Sequence, residues 1–313
     1  MAGGVVVLCG GVGAARFLEG VVRVVDPSTV IAIVNVADDA EFHGLHVSPD
    51  VDTVLYTLAG IVDRSQGWGV ESDTHEVQAA LERLGRDVWF QLGDRDLATH
   101  IHRTALLREG VALSDITARL ARSLGVRTRV LPATDGKQRT MVRTDDGWLA
   151  FQDYFVRRRQ QDTVRAVRFD GATAPAPGIV DAIASARVVV LAPSNPIVSI
   201  GPILALDGVR EALARTAAPI VAVSPIVGGE AIKGPAAAML ASLGHEVSSV
   251  GVARLYADFV DVLVLDERDA ALADRVREAG PRPLVAPTIM SDLAAKTRLA
   301  EIALTAAEAR AGG

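Results

Sequence analysis

The predicted fold rests first on the residues Val5-Val6-Val7-Leu8-Cys9-Gly10-Gly11-Val12-Gly13. A run of apolar, mostly β-branched residues leads directly into glycines, and a helical stretch follows near residues 13–24. Further apolar runs lie at residues 30–34, 188–191, 220–223, 262–265 and 284–286. Helical stretches are expected between them near residues 51–60, 208–216, 235–243, 269–279 and 291–310. This alternation predicts an α/β fold with a doubly wound, mostly parallel Rossmann-like sheet.

Composition and charge narrow the class of protein. Half of the 313 residues are hydrophobic but only 4% are aromatic, so the core must be aliphatic, as in buried parallel sheets. A net charge of −6 argues against binding nucleic acid by broad neutralisation of phosphates. The charge-free segment 188–206 contains three prolines and reads as a strand and a loop, not as a membrane span. The single cysteine, Cys9, predicts a reducing cytoplasm.

The second and third predicted strands are separated by about 150 residues, far more than a crossover needs. This excess predicts an inserted, mainly helical subdomain with helices near residues 75–84, 96–109 and 114–124. Turn-forming residues suggest a hairpin around residues 139–154. We therefore expect a nucleotide-binding core of residues 1–60 plus 178–313, and an inserted subdomain of residues 61–177 that contributes to the site for an acceptor substrate.

The glycine turn at residues 10–13 predicts phosphate binding, because glycines bring backbone N–H groups close to an anion at a helix start. The dinucleotide fingerprint is matched badly, since Arg16 takes its last position and Asn35 stands where a ribose-binding acid is expected. A nicotinamide oxidoreductase is therefore a weak reading. The alternative is that the glycines only permit close helix packing.

Five acidic residues crowd one loop: Asp38, Asp39, Glu41, Asp50 and Asp52. Oxygen ligands at the end of a strand and near a phosphate turn suit Mg²⁺, whereas Zn²⁺ would prefer Cys and His. The loop is therefore the predicted chemical centre. The alternative is that Asp50 merely caps the helix beginning near Val51 and that Asp39 is solvated.

A second group of charges, Asp94-Arg95-Asp96, stands at a predicted helix start, with His100 four residues after Asp96. Asp96 and His100 are spaced to pair, and the guanidinium of Arg95 suits a flat polar ring or a phosphate. Capping by Asp is the alternative.

The loop Ser194-Asn195-Pro196 should line the ligand crevice at the sheet edge, and Lys233 is a further phosphate candidate.

Taken together, these segments resemble the 2-phospho-L-lactate transferase family, whose enzymes attach a phospho-acid tail to a deazaflavin alcohol in coenzyme F420 biosynthesis. The likeness spans nearly the whole chain. It rests on residues 10–13, on Asp38-Asp39 with residues 48–56, and on residues 93–100, 194–203 and 262–269.

The resemblance implies a donor that is the guanosine diphosphate ester of a three-carbon acid, and Mg²⁺-assisted transfer to the ribityl hydroxyl of the deazaflavin with release of GMP. Asp38 and Asp50 would hold the metal and act in catalysis, with Asp50 as the favoured proton acceptor. The implied ligand contacts are Gly10, Gly11, Gly13, Ser194, Asn195 and Pro196 for the guanosine diphosphate part, and Asp50, Asp94, Arg95 and His100 for the deazaflavin. A homodimer is implied in the same way.

The main alternative is a non-enzymatic nucleotide-sugar-binding regulator of a related family that shares the glycine turn and a similar acidic stretch. In that family the segment matching residues 93–100 is absent. No residue of the sequence distinguishes phospholactate, phosphoenolpyruvate or phosphoglycerate as the transferred group.

Overall fold

The computed structural model describes residues 3–231 and 234–311, without the side chains of residues 308–311. Lys233, the further phosphate candidate, lies outside the described residues. Within them the strands are β1 Val5–Cys9, β2 Val30–Val34, β3 Ala40–Phe42, β4 Leu45–Val47, β5 Arg129–Pro132, β6 Gln138–Thr144, β7 Gly147–Ala150, β8 Ala166–Gly171, β9 Val188–Leu191, β10 Ile220–Val223, β11 Ile226–Val227, β12 Glu230–Ala231, β13 Val262–Leu265 and β14 Arg282–Val285.

Most of the helices in the same residues follow the predicted ones, but those at residues 179–184, 201–204 and 249–255 were not predicted. They are α1 Gly11–Val24, α2 Pro49–Ala59, α3 Glu76–Arg83, α4 Asp94–Arg108, α5 Leu113–Ser123, α6 Ile179–Ala184, α7 Gly201–Leu204, α8 Val209–Arg215, α9 Ala236–Ser242, α10 Ser249–Leu255, α11 Ala273–Glu278 and α12 Leu293–Ala311. Short 3₁₀ turns cover Pro27–Thr29 and Glu267–Leu272, and π-type turns cover Asp153–Arg157 and Pro196–Ile200.

Seven strands form one central sheet in the order β14-β13-β10-β9-β1-β2-β5, with every neighbouring pair parallel. The strand order reverses between β1 and β9, so the chain has a topological switch point at the carboxyl ends of these two strands. Helices flank the sheet, which confirms the predicted doubly wound α/β fold.

The residues of β1 explain why this sheet forms. All five are apolar and fully buried, as expected for a parallel strand whose two faces are both covered by helices. The strand therefore lacks the alternation of polar and apolar residues found in strands with one face in solvent. The helix α1 packs against both α2 and α12. Its crossing with α12 is close, because a Cβ on Gly20 would lie 2.2 Å from the Lys296 carbonyl oxygen.

Two strands in the insertion were not predicted. β5 pairs with β2 and closes one edge of the central sheet, although it lies within the residues 61–177 assigned to the inserted subdomain. β8 joins the predicted hairpin β6–β7 to make a three-stranded antiparallel sheet. The rest of the insertion is mainly helical, and its boundaries stay a prediction. Throughout the described parts of the chain, no helix combines the length and the apolar composition of a membrane span.

Candidate active site

The glycine turn lies at the switch point and holds three loops together. β1 and β2 run in register from Val5 opposite Val30 to Cys9 opposite Val34, so Gly10 comes to lie beside Asn35. A Cβ on Gly10 would lie 2.8 Å from Asp50 Oδ2 and 2.9 Å from Ser199 Cβ. Glycine is therefore required here for the close approach of an acidic side chain. This confirms a packing role for Gly10.

The other two glycines of the turn have separate reasons to be glycine. Gly11 begins α1 with a φ of 74°, in the left-handed region that disfavours a side chain. A Cβ on Gly13 would lie 2.7 Å from the Pro193 carbonyl oxygen. The N-cap residue of α1 is Gly10, which has no side chain to cap the helix, and the Gly11 N–H bonds the Asp50 carboxylate. The N–H groups that follow in the first turn are of the kind that bind an anion at a helix N-terminus.

The loop after β9 closes the other side of the turn. Ser194 is buried; its hydroxyl donates to the Gly10 carbonyl oxygen at 2.9 Å, and the Gly10 N–H donates to the hydroxyl oxygen at 3.3 Å. Asn195 Oδ1 accepts from the N–H groups of Ile197 and Val198, while Pro196 begins the next turn and is buried. The structure therefore brings Ser194 against the glycine turn and uses the side chain of Asn195 largely as a cap.

Asn35, at the end of β2, joins the two predicted metal ligands. Its Nδ2 atom donates to Asp38 Oδ2 at 3.1 Å and to Asp50 Oδ2 at 3.0 Å. Sequence reasoning noted this residue only as a poor match to a dinucleotide fingerprint. The structure shows that the side chain turns inward and links two carboxylates that are 12 residues apart in the chain.

Asp38 and Asp50 form a pair of acids that share the side-chain amide of Asn35. No Lys, Arg or His nitrogen of the described residues lies within 4.0 Å of either carboxylate. Asp38 is 7% exposed. Its buried Oδ1 atom has no partner with hydrogen-bond geometry in the same set of residues, although the nearby Thr140 hydroxyl lowers the pKa of this carboxyl. Such an arrangement is costly unless something positive completes it.

The pKa values of these acids reflect that cost. Burial, followed by the negative charge of Asp50, raises the pKa of Asp38 well above its usual range. Burial also raises the pKa of Asp50 to about 6; the hydrogen bond from Asn35 opposes the rise and the charge of Asp39 adds to it. Asp50 is the more accessible of the two, being only partly buried.

Asp39 has a different role from its neighbour. Its Oδ2 atom accepts from the Ser48 hydroxyl at 2.6 Å and lies 2.9 Å from His46 Nε2. These contacts tie the β3–β4 hairpin to the start of α2, so the alternative that Asp39 is solvated is wrong. Asp50 lies in the first turn of α2 after Ser48 as N-cap residue, and its carboxylate bonds with Asn35 across the site.

The inserted subdomain makes hydrogen bonds to backbone carbonyl oxygens of the acidic loop. The N–H of Thr140 on β6 donates to the Ala37 carbonyl oxygen at 2.8 Å. Gln152 Nε2 donates to the Asp38 carbonyl oxygen at 3.0 Å. The insertion therefore contacts the candidate site directly.

Asp52, two residues after Asp50, belongs to a separate buried network. Arg103 is fully buried and makes a bidentate ion pair with Asp52, one bond being 3.0 Å from NH1 to Oδ2. His100 Nδ1 lies 3.7 Å from Asp52 Oδ2, and His100 Nε2 lies 3.2 Å from Asp96 Oδ1, which confirms the expected proximity of Asp96 and His100. The Tyr56 hydroxyl donates to Asp96 at 2.7 Å.

One oxygen or nitrogen from each of Asp52, Asp96 and His100 falls within a 4.8 Å cluster, which by spacing alone could hold a metal ion. The guanidinium of Arg103 already supplies the positive charge and occupies both oxygens of Asp52. We therefore assign this cluster to structure. His100, at 1% exposure, is enclosed by it, and its contact with a deazaflavin stays a prediction.

The carboxylates of Asp94 and Asp73 cap the starts of two helices, α3 and α4. The Asp94 carboxylate accepts from the N–H groups of Glu76 and Val77 at the start of α3, each at 3.0 Å. The Asp73 carboxylate accepts from the N–H groups of Arg95 and Asp96 at the start of α4. Asp94 is therefore a cap, although of α3 and not of the helix that it begins, and a ligand contact of this residue stays a prediction.

Arg95 is the exposed member of this segment. Its NH1 atom lies 3.3 Å from the Glu71 carbonyl oxygen, and its side chain lines a cavity of about 380 Å³. Further lining residues are Tyr56, Ile61, Val70, Thr99 and Leu124. Gly60, also at this cavity, ends α2, whereas Asp50 begins it; the rise of a helix separates them by about 15 Å.

The structure thus brings together Asp38, Asp50, the glycine turn and Ser194. It places Arg95 at the cavity toward the other end of α2, His100 beside Asp52 in the first turn of α2, and the Asp94 carboxylate at the start of α3. Asn35 and the Asp52–Arg103 pair were missed. Only the position of Asn35 at a strand end offered a signal for it.

Comparisons with known proteins identify the family and agree with the α/β fold. The family 2-phospho-L-lactate transferase CofD matches residues 5–301. A 2-phospho-L-lactate transferase from Methanothermobacter thermautotrophicus is 42% identical over 96% of this chain and 97% of its own length. A phosphoenolpyruvate transferase from Streptomyces griseus is also 42% identical, over 97% and 98%.

Solved structures show the same fold. A protein of the UPF0052 family from Bacillus halodurans superposes with a TM-score of 0.63 at 19% identity, covering 97% of this chain and 99% of that one. The chain belongs to the 2-phospho-L-lactate transferase CofD family. This confirms the resemblance predicted from the motifs, to a family of phospho-acid transferases in coenzyme F420 biosynthesis.

Proposed function

We propose that this chain transfers a phospho-acid group from its guanosine diphosphate ester to the ribityl hydroxyl of 7,8-didemethyl-8-hydroxy-5-deazariboflavin, releasing GMP, in coenzyme F420 biosynthesis. The observation that carries the proposal is the pair Asp38 and Asp50, which faces the glycine turn with no cation among the described residues. A pair of this kind beside a phosphate-binding turn suits a diphosphate substrate that arrives with a divalent cation.

Mg²⁺ fits the residues present. The donor set consists of carboxylate oxygens, and one buried oxygen, Asp38 Oδ1, has no hydrogen-bond partner in the described chain. Asp38 and Asp50 would hold the ion. When bound, it would neutralise the charge that develops on the phosphoryl oxygens.

The guanosine diphosphate part belongs at the switch point. The N–H groups that follow Gly11 in the first turn of α1 offer donors to a phosphate, and the Ser194–Pro196 loop forms the adjacent wall. Because Gly10, Gly11 and Gly13 have no side chains, the backbone of the turn can lie close to the diphosphate. Asn195 and Pro196 set the shape of the neighbouring loop. The donor contacts implied by the resemblance therefore lie on one side of the acid pair.

The chemistry is a single displacement. The ribityl oxygen forms a bond to the phosphorus that carries the three-carbon acid, and the bond from that phosphorus to the bridging oxygen breaks. The bridging oxygen keeps the electron pair and leaves with GMP. Asp50 takes the hydroxyl proton, a role for which a pKa of about 6 is suited near neutral pH.

The acceptor site extends along α2 in this proposal. The deazaflavin has a flat ring at one end and a hydroxyl-bearing chain at the other. The cavity beside Arg95 is lined by both Tyr56 and Gly60, so it lies about 9 to 15 Å along α2 from Asp50. With the chain at Asp50, the ring is directed toward Arg95. A planar guanidinium can stack on such a ring or bond its polar edge.

Sequence identity to relatives does not indicate which three-carbon acid is transferred. The chain is equally identical, at 42%, to a protein named 2-phospho-L-lactate transferase and to one named phosphoenolpyruvate transferase. A homodimer and a cytoplasmic location are further parts of the proposal, the first supported by the family likeness and the second by the single buried thiol. Light scattering of purified protein measures the first.

The test offers purified protein each of the three guanylylated acids with the deazaflavin, with and without Mg²⁺, and follows GMP and the product mass. The expected result is Mg²⁺-dependent product from at least one donor. Titrations with the deazaflavin and with a UDP-sugar form the control. Binding of the UDP-sugar alone, without product from any donor, would replace this proposal by the nucleotide-sugar-binding regulator.

A further inference from the structure

Asn35 is the one buried side chain that touches both carboxylates of the acid pair among the described residues. It is fully buried at the end of β2. Its Nδ2 group has two hydrogens, and the carboxylate oxygens of Asp38 and Asp50 lie at 3.1 and 3.0 Å from it. The Val198 carbonyl oxygen is more distant, at 3.5 Å.

The orientation of the amide is fixed by its other end. Asn35 Oδ1 accepts from the N–H of Ala37 at 3.0 Å, and the Asn35 backbone N–H donates to the Cys9 carbonyl oxygen at 2.9 Å. A flipped amide would present two N–H hydrogens to a backbone N–H and an oxygen to two carboxylates. The hydrogen-bonding pattern therefore requires the nitrogen to face the acids.

We propose that Asn35 is a positioning residue that holds Asp38 and Asp50 at a fixed separation, ready for a divalent cation; this inference rests on the proposed function. Two acids with no cation nearby would otherwise separate or take up a proton. A neutral amide with two N–H donors keeps both oxygens aimed at one region while adding no charge. Ligands held in place by outer contacts bind metal more tightly than mobile ones.

The same contacts exclude other roles for Asn35. Its nitrogen has no lone pair to offer a metal ion, and its oxygen is engaged by Ala37, so it is not itself a ligand. Because the side chain points inward to the acids, it also does not read a ribose, the usual task at this position in dinucleotide enzymes.

Gln152 provides a matched control. It is also a buried amide, and it also bonds Asp38, but its Nε2 atom donates to the backbone carbonyl oxygen at 3.0 Å and not to the carboxylate. Removing Gln152 therefore costs a buried hydrogen bond near the site and leaves the separation of the two carboxylates to Asn35.

The experiment compares Asn35→Leu, Gln152→Leu and wild type by titration with Mn²⁺ without substrates and by kcat and KM for GMP release. We expect Asn35→Leu to bind Mn²⁺ at least tenfold more weakly and to lose kcat at least tenfold, with the KM for the donor changed less than threefold. Gln152→Leu should bind Mn²⁺ within threefold of wild type. The unfolding temperature of each variant reports purely structural loss.

If Asn35→Leu does not fold, Asn35→Asp has the same shape but replaces the donor by an acceptor, and it should keep Mn²⁺ binding while losing kcat at least tenfold. Near-normal turnover in Asn35→Asp, or equal losses of Mn²⁺ affinity in Asn35→Leu and Gln152→Leu, would overturn the positioning role. Weak Mn²⁺ binding by Asn35→Leu without transfer product from wild type would reject only the proposed reaction. Wild type that binds no Mn²⁺ would reject both.

Discussion

Asp50 and Asp52 lie on the first turn of α2, two residues apart, yet they face opposite surroundings. Asp52 accepts hydrogen bonds from both terminal guanidinium nitrogens of the buried Arg103. Asp50 shares one amide nitrogen with Asp38 and has no cationic neighbour in the described chain. Residues two apart on a helix do not share a face, so one short acidic segment serves two different environments.

The surroundings of the two acids indicate a structural role for Asp52 and a ligand-binding role for Asp50. In the Asp52 network the guanidinium of Arg103 compensates the buried charge of Asp52. Burial lowers the pKa of Arg103, but the charge of Asp52 and its hydrogen bonds with the guanidinium oppose that effect, and the pKa stays raised. In the Asp38–Asp50 pair, burial and mutual repulsion leave the charge uncompensated until a ligand arrives. An acid pair that is expensive in the free protein is a stronger indication of function than one that is already neutralised.

The largest effect is expected from removing a charge of the uncompensated pair. Asp38→Asn or Asp50→Asn should lower Mg²⁺-dependent GMP release at least 10⁴-fold, about 5.5 kcal/mol, because each removes a metal ligand or the proton acceptor. Both variants should remain folded by circular dichroism. Glu41→Gln, which removes an exposed acid from the same loop, is the control and should stay within threefold of wild type. Near-normal turnover in both Asn variants would remove the pair from the site.

Removing the cation of the compensated network should instead reduce stability. Arg103→Met leaves Asp52 buried beside Asp96 without its arginine partner, which costs about 3–5 kcal/mol in the free energy of unfolding. Urea denaturation measures the loss, and the double variant Arg103→Met/Asp52→Leu should recover part of it. A single variant within 1 kcal/mol of wild type would contradict the assignment of this network to structure.

The acid pair should also set the pH dependence. Asp50 acts in its ionised form, and its pKa of about 6 predicts that kcat/KM falls below pH 6 by about tenfold per unit. Its folded pKa lies above its unfolded value, so its contribution to stability is present at low pH and is lost as the pH rises through about 6. Rate profiles from pH 5 to 8 check the first statement. A profile flat down to pH 5 would exclude Asp50 as the proton acceptor.

The smallest effect concerns the far end of α2. Arg95→Ala should raise the KM for the deazaflavin about five- to tenfold and leave the KM for the guanylylated donor within twofold, because Arg95 lines the cavity away from the glycine turn. Arg215→Ala, an exposed arginine at the end of α8, is the control. Equal losses for both substrates would place Arg95 elsewhere in the mechanism.

Much of the fold was predictable because the strands of the central sheet are uninterrupted aliphatic runs, such as Val188–Leu191 and Val262–Leu265, which only a sheet buried on both faces explains. The edge strand β5 was missed for the opposite reason. It contains Arg129 and Pro132, and an edge strand tolerates such residues because one of its sides has no partner strand.

The site was predictable in its residue types but not in its contacts. Asp38 and Asp50 stood out as acids near a glycine turn. Their link through Asn35 depends on the direction in which a strand-end side chain turns, which no local pattern gives. Asp52 and Arg103 are 51 residues apart, and only the folded chain shows that they pair. Such long-range partners decide which of several neighbouring acids is free to bind a ligand.

The most direct test of the acid pair as the reacting centre is a crystal structure grown with Mn²⁺ and GDP, with anomalous scattering used to locate the metal. The account predicts an anomalous peak between the carboxylates of Asp38 and Asp50, with the diphosphate at the glycine turn. A peak at Asp52, Asp96 and His100, or GDP bound with both acids of the pair turned away from it, would contradict the account.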